Sequence, residues 1–164
     1  MHHTHLIRPA ATAATRPVPA ASLGFAPDRE LTVAGPWRLP RTDDACGQAR
    51  SAVCSILAGW GLDQLADTAE LLVSELVGNA LLHAYGPVSL TVVRREVICC
   101  QVRDGSRKLP QLRPGQTTDE FGRGLRLVDL MASKWGADPT PWGKEVWFEL
   151  PEDPLGGGRE APSP

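Results

Sequence analysis

Long apolar runs are what this chain of 164 residues most plainly lacks. None of its hydrophobic stretches approaches the roughly 20 residues needed to cross a bilayer. Nor does the N-terminus carry a continuous apolar signal core after its charged start, so a cytoplasmic location without membrane partners is expected. An excess of one charge is missing too: 17 Lys and Arg stand against 19 Asp and Glu. The two signs are interspersed, which gives no electrostatic footprint for direct nucleic-acid binding. Cysteine is sparse, at Cys46, Cys54, Cys99 and Cys100, with no CxxC pair and no histidines at metal-ligand spacing. Zinc-knuckle and dithiol redox chemistry are thereby set aside, and the four thiols are expected to act as small buried hydrophobes. The short cluster His2, His3 and His5 lies in a segment too poor in apolar residues to fold, and it receives no role. Aromatic residues make up 5% of the chain, yet five of them are tryptophans. Trp37, Trp60, Trp135, Trp142 and Trp147 are expected mainly in sheet and core packing, with any exposed one able to anchor a partner.

What is present is organised into one domain between two tails. Residues 1–34 are rich in Ala, Pro and Thr and cannot bury enough surface to offset the entropy of ordering. Residues 152–164, with Gly156-Gly157-Gly158 and three prolines, form a second flexible end. The folded part is expected over 35–151. Within it, Ala45, Ala49, Val53, Ile56 and Leu57 recur near a helical period from Asp43 to Trp60, with Thr42, Asp43 or Asp44 as N-cap and Gly59 or Gly61 as the stop. A stronger helical pattern runs from Asp63 to Ala84. There Asp67, Glu70 and Ser74 mark a solvent face, and Leu65, Leu72, Val73 and Leu76 mark buried ones.

The β-branched runs Val88 to Val93 and Val97 to Val102, joined by Arg94-Arg95-Glu96, read as a hairpin. A loop with Pro110, Pro114 and Gly115 follows, then a helix from Leu125 to Ala132, then strands near Ser133 to Ala137 and Glu145 to Leu150. Helices grouped beside such strands predict an α+β fold: a two-layer sandwich, with helices on one face of a mixed, mostly antiparallel sheet.

Three polar groups break these patterns. Glu75, Asn79 and His83 stand at i, i+4 and i+8 and so follow one narrow ribbon of the second helix, beside Leu72 and Leu76. A carboxylate and an amide set into an apolar face require partners. A magnesium-bound phosphate is one, since an amide oxygen can ligate the ion while a carboxylate one turn away accepts a proton; a neighbouring loop is another. Asp104-Gly105 ends a strand, where a carboxylate can accept from an exocyclic amine and glycine lets a ring approach, though an Asp-Gly pair also makes an ordinary turn. Gly122-Arg123-Gly124 precedes Leu125 at a predicted helix N-terminus, where free N–H groups favour an anion and Arg123 adds charge, though a glycine-containing helix start with a surface arginine has the same sequence.

In order, these segments resemble the Bergerat-fold (GHKL) ATPase superfamily of gyrase, heat-shock chaperones, mismatch-repair ATPases and histidine kinases. The stretch from Glu75 to Tyr85 resembles its N box, and the His-Ala-Tyr ending is closest to the anti-sigma-factor serine kinases. Asp104 falls where the adenine-binding aspartate belongs, and Gly122-Arg123-Gly124-Leu125 where the phosphate-binding G2 box belongs. Gly143-Lys144-Glu145-Val146-Trp147 is similar to the segment that closes the domain. Ser106 and Lys108 depart from the family's DxGxG pattern.

Over Trp37 to Pro151 the resemblance implies ATP and magnesium as cofactors. Glu75 would be the catalytic base, Asn79 the magnesium ligand, and Asp104 with Gly105 the adenine anchor. Gly122, Arg123, Gly124 and Leu125 would hold the phosphates, and His83 would either help shape the site or simply pack. It implies a protein serine/threonine kinase that phosphorylates a small antagonist protein, sequesters a sigma factor, or both, and it admits a homodimer. A nucleotide-dependent binding module with little turnover is the alternative.

Overall fold

In a computed structural model of the chain, residues 31–112 and 120–153 are described. Residues 1–30 and 154–164 of the tails expected at 1–34 and 152–164, and residues 113–119 of the proline-containing loop, lie outside the described residues. The first element comes earlier than composition suggests: strand β1 spans Thr32–Leu39, so the last three positions of the expected N-terminal tail belong to the sheet. It is an edge strand, mostly exposed, with only Leu39 fully buried. Its weak alternation and internal Gly35-Pro36 hide it from a period-2 search.

Helix α1, Asp44–Gly59, buries Ala45, Ala49, Val53 and Leu57 on one stripe. It closes with paired bonds, Leu62 N–H to the Leu57 carbonyl at 2.8 Å and Gly61 N–H to the Ala58 carbonyl at 3.0 Å. Gly61 takes φ +71°, a left-handed conformation that glycine adopts without strain. A short 3₁₀ turn over Asp63–Leu65 leads into α2, Ala66–His83. This helix buries Ala69, Leu72, Val73, Leu76, Val77 and Ala80.

The solvent face expected for α2 is corrected on one side. Asp67 is exposed, but Ser74 is half-buried, donating from Oγ to the Glu70 carbonyl at 2.8 Å and accepting from Arg50 of α1 at 3.2 Å. Helix α1 packs along that flank, and Leu71 is exposed instead. At the C-terminus of α2, Arg41 donates to the carbonyls of Leu81 (2.8 Å), Ala84 (2.7 Å) and Gly86 (3.2 Å). A cation there satisfies orphan carbonyls and opposes the negative end of the helix dipole.

Strands β2 (Val88–Arg94) and β3 (Val97–Asp104) form the expected hairpin. Helix α3 spans Glu120–Met131, followed by β4 (Lys134–Thr140) and β5 (Gly143–Pro151). The sheet order is β1-β2-β3-β5-β4 and every pair is antiparallel, so it is not mixed. Alternation sends Val88, Leu90 and Val92, then Ile98, Cys100 and Val102, then Val146, Phe148 and Leu150 to one face. These meet the apolar stripes of α1 and α2, and Val128 of α3, in a single core. Over the described residues the fold is α+β, with three α-helices against an open five-stranded sheet. No helix among the described residues is long and apolar enough to cross a membrane.

Candidate functional site

Where β3 ends and β5 begins beside α2, the core opens into a cavity of about 320 Å³. Leu76, Ala80, Val102, Val146 and Leu125 give it apolar walls. Asn79, His83, Asp104, Ser106 and Lys144 supply polar groups, and the segment Lys108 to Gln111 borders it. Helical spacing delivers Asn79 and His83, since both lie on the ribbon of α2 that turns from its flank toward the sheet. Strand alternation delivers Asp104, which continues the inward series of Ile98, Cys100 and Val102. Four of the residues singled out in the sequence therefore share one cavity: Asn79, His83, Asp104 and Leu125.

The others stand around it differently. Gly105 is not on the wall. Its N–H donates to the Tyr85 carbonyl at 3.0 Å, and a Cβ at this position would overlap that same oxygen. Glycine is required here because the end of α2 crosses β3 backbone to backbone. Gly122, Arg123 and Gly124 lie inside α3, which begins at Glu120, and not ahead of it as expected. The free N–H groups of this helix therefore start before the glycines. Arg123 is exposed, and Gly124 is buried against Glu75.

Glu75 is half-buried, and it does not line the cavity. Its carboxylate packs on Gly124, where an added Cβ would overlap Oε2. Absence of a side chain at 124 thus makes room for a carboxylate of the protein itself. The same charge is felt across the helix pair at Cys46, whose thiol pKa is raised by burial, lowered in part by Arg50, and raised further by Glu75.

Asp104 is deeply buried and held from two directions. Its Oδ1 accepts from Lys144 Nζ at 2.9 Å and from the Ser106 backbone N–H at 2.8 Å, while Ser106 Oγ accepts from the Lys108 N–H at 3.2 Å. Two successive side-chain turns thus shape the loop from Asp104 to Lys108. Lys144 is the cavity residue to which sequence reasoning gave no role. The signal was available: Lys144 is in phase with Val146, Phe148 and Leu150 on β5, a period-2 series pointing inward.

Three of the cysteines, Cys46, Cys54 and Cys99, are only partly buried, and Cys100 is fully so. Trp142 is 87% exposed, whereas Trp37, Trp60 and Trp135 pack against the core. Among the described residues no group of three or more His, Cys, Asp or Glu side chains could hold a metal ion. No protein-family model and no curated protein matches the chain.

Proposed function

We propose that this protein is a cytoplasmic ATP-binding regulator with the histidine-kinase-like Bergerat ATPase fold, resembling the anti-sigma-factor serine/threonine kinases. In this reading it transfers the ATP γ-phosphoryl to a serine of a small antagonist protein, sequesters a sigma factor, or does both. One observation carries the reading: Asn79, His83, Asp104 and Leu125, drawn from three separate stretches of sequence, border a single cavity.

The groups at the cavity fit a nucleotide. Apolar side chains from α2, β3 and β5 can cover the faces of a base, and Asp104 can accept from an exocyclic amine. Magnesium on nucleotide phosphates needs few protein ligands, and the Asn79 amide oxygen would be one. The ion, when bound, neutralises phosphate charge. The first turn of α3 offers backbone N–H groups for the phosphates, with Arg123 exposed beside them. Glu75, one turn before Asn79, would orient the serine hydroxyl and accept its proton as the oxygen bonds to the γ-phosphorus and the bond to the β–γ bridging oxygen breaks, releasing ADP.

The packing of Glu75 on Gly124, away from the cavity wall, favours a second reading in which the chain binds nucleotide and partner with little turnover. Isothermal titration with ATP and magnesium tests what both readings share, and absence of saturable binding would remove both. Phosphosite mapping on proteins captured from the native cell separates them. A kinase loses transfer in Glu75→Ala while keeping ATP affinity, whereas a binding module has no transfer to lose.

A further inference from the structure

Lys144 puts a buried cation in the wall of a cavity that joins apolar side chains to polar ones. Its side chain is 8% exposed and that of Asp104 is 2% exposed. Asp104 Oδ1 accepts both the ammonium and the Ser106 N–H, which occupies its two lone pairs. Both of these bonds fall on Oδ1 and neither on Oδ2, and Asp104 is one of the residues that line the cavity. An ammonium has three N–H donors and uses one on Asp104, which leaves donors for whatever enters. A buried ion pair is a weak source of stability compared with apolar residues of the same volume. Set in a cavity wall, it offers an acceptor and a cationic donor side by side.

Resting on the nucleotide reading above, we infer that Lys144 is a base-specificity residue acting with Asp104 on the amidine edge of adenine. Asp104 Oδ2 accepts from the 6-amino group, and Lys144 Nζ donates to ring nitrogen N1. Adenine presents that donor and acceptor next to each other. A 6-oxopurine reverses both, setting a carbonyl oxygen against the carboxylate and an N1–H against the ammonium. Discrimination therefore comes from two matched contacts in ATP and two mismatched ones in ITP.

The test is calorimetric titration of the full chain with the magnesium complexes of ATP, 1-deaza-ATP and ITP. 1-Deaza-ATP keeps the amine but has carbon in place of N1. It is expected to bind more weakly than ATP by a factor on the order of 10 to 100, the range for one hydrogen bond to a charged group. ITP is expected to bind more weakly still. In Lys144→Met the difference between ATP and 1-deaza-ATP should vanish. Equal affinity of the native chain for ATP and 1-deaza-ATP overturns the assignment of Lys144 and leaves ATP binding standing. A Lys144→Met chain that loses affinity for both nucleotides equally also overturns it, because the lysine would then serve the phosphates. No saturable ATP binding removes this inference together with the reading beneath it. The native-chain comparison decides the matter even where Lys144→Met fails to fold.

Discussion

At the scale of single residues, the Asp104 and Lys144 pair couples site chemistry to stability. Both side chains are buried, and each is the ion-pair partner of the other. Removing one partner of such a pair costs about 3–5 kcal/mol, because a desolvated charge remains without compensation. Asp104→Ala is therefore expected to lower unfolding free energy by about that amount, as read from urea denaturation. Asp104→Ala combined with Lys144→Met should recover most of the loss, since the double variant leaves no buried charge behind. Recovery of stability without recovery of ATP binding would separate the folding contribution of the pair from its contribution to the site.

At the scale of elements, the contact between α2 and α3 decides where Glu75 points. In Gly124→Ala the new methyl meets the far end of a flexible glutamate, which can swing aside. Alanine also improves helix propensity by about 1 kcal/mol over glycine, offsetting much of the crowding. The expected outcome is near-native thermal stability with Glu75 displaced. Any phosphoryl transfer should then fall as far as in Glu75→Ala, and the double variant should fall no further. Arg41→Ala addresses the other end of α2. Losing its bonds to three carbonyls should cost about 1 kcal/mol, and hydrogen exchange should quicken first over Leu81 to Gly86.

These same elements show why the sequence was only partly readable. Helix α1 and the β2–β3 hairpin follow periods of their own, whereas α2 was legible as a helix but its faces depend on the packing of α1. Strand β1 buries too few side chains for alternation to register. The start of α3 at Glu120, ahead of its glycines, runs against local propensity. Asn79, His83 and Asp104 were legible because helical spacing and strand phase point them toward one region, and resemblance ties them together. The Glu75 to Gly124 contact depends on how two distant helices pack. The Lys144 bond to Asp104 depends on the register of β3 against β5, where Asp104 faces Lys144 directly.

For the molecule as a whole, the helices among the described residues pack on one side of the sheet, and on the other side the described side chains shield one another. Trp147 lies over Gly136, where a Cβ would come within 2.7 Å of its ring, and its indole N–H donates to Asp138 at 2.8 Å. Arg103 pairs with Glu145 on the same surface. Cys99 stands in this layer opposite Glu149. Burial raises its thiol pKa to about 12, with the charges of Glu149 and Glu145 adding to the rise and a bond with Gln101 opposing it. Burial likewise raises Cys54, to about 11, and Cys100 further. In the unfolded chain these thiols ionise near 9.0, so between that pH and the folded values the unfolded state binds fewer protons than the native state. The sign of the linkage is then fixed: stability from the neutral thiols is complete below about pH 9 and declines as pH rises toward 11 and 12. Urea denaturation at intervals from pH 7 to the onset of alkaline unfolding should show that decline. Cys99→Ala should make it shallower by one thiol's share while leaving the neutral-pH slope unchanged. An identical pH profile for Cys99→Ala and the native chain would mean that this face of the sheet does not shield its centre from water.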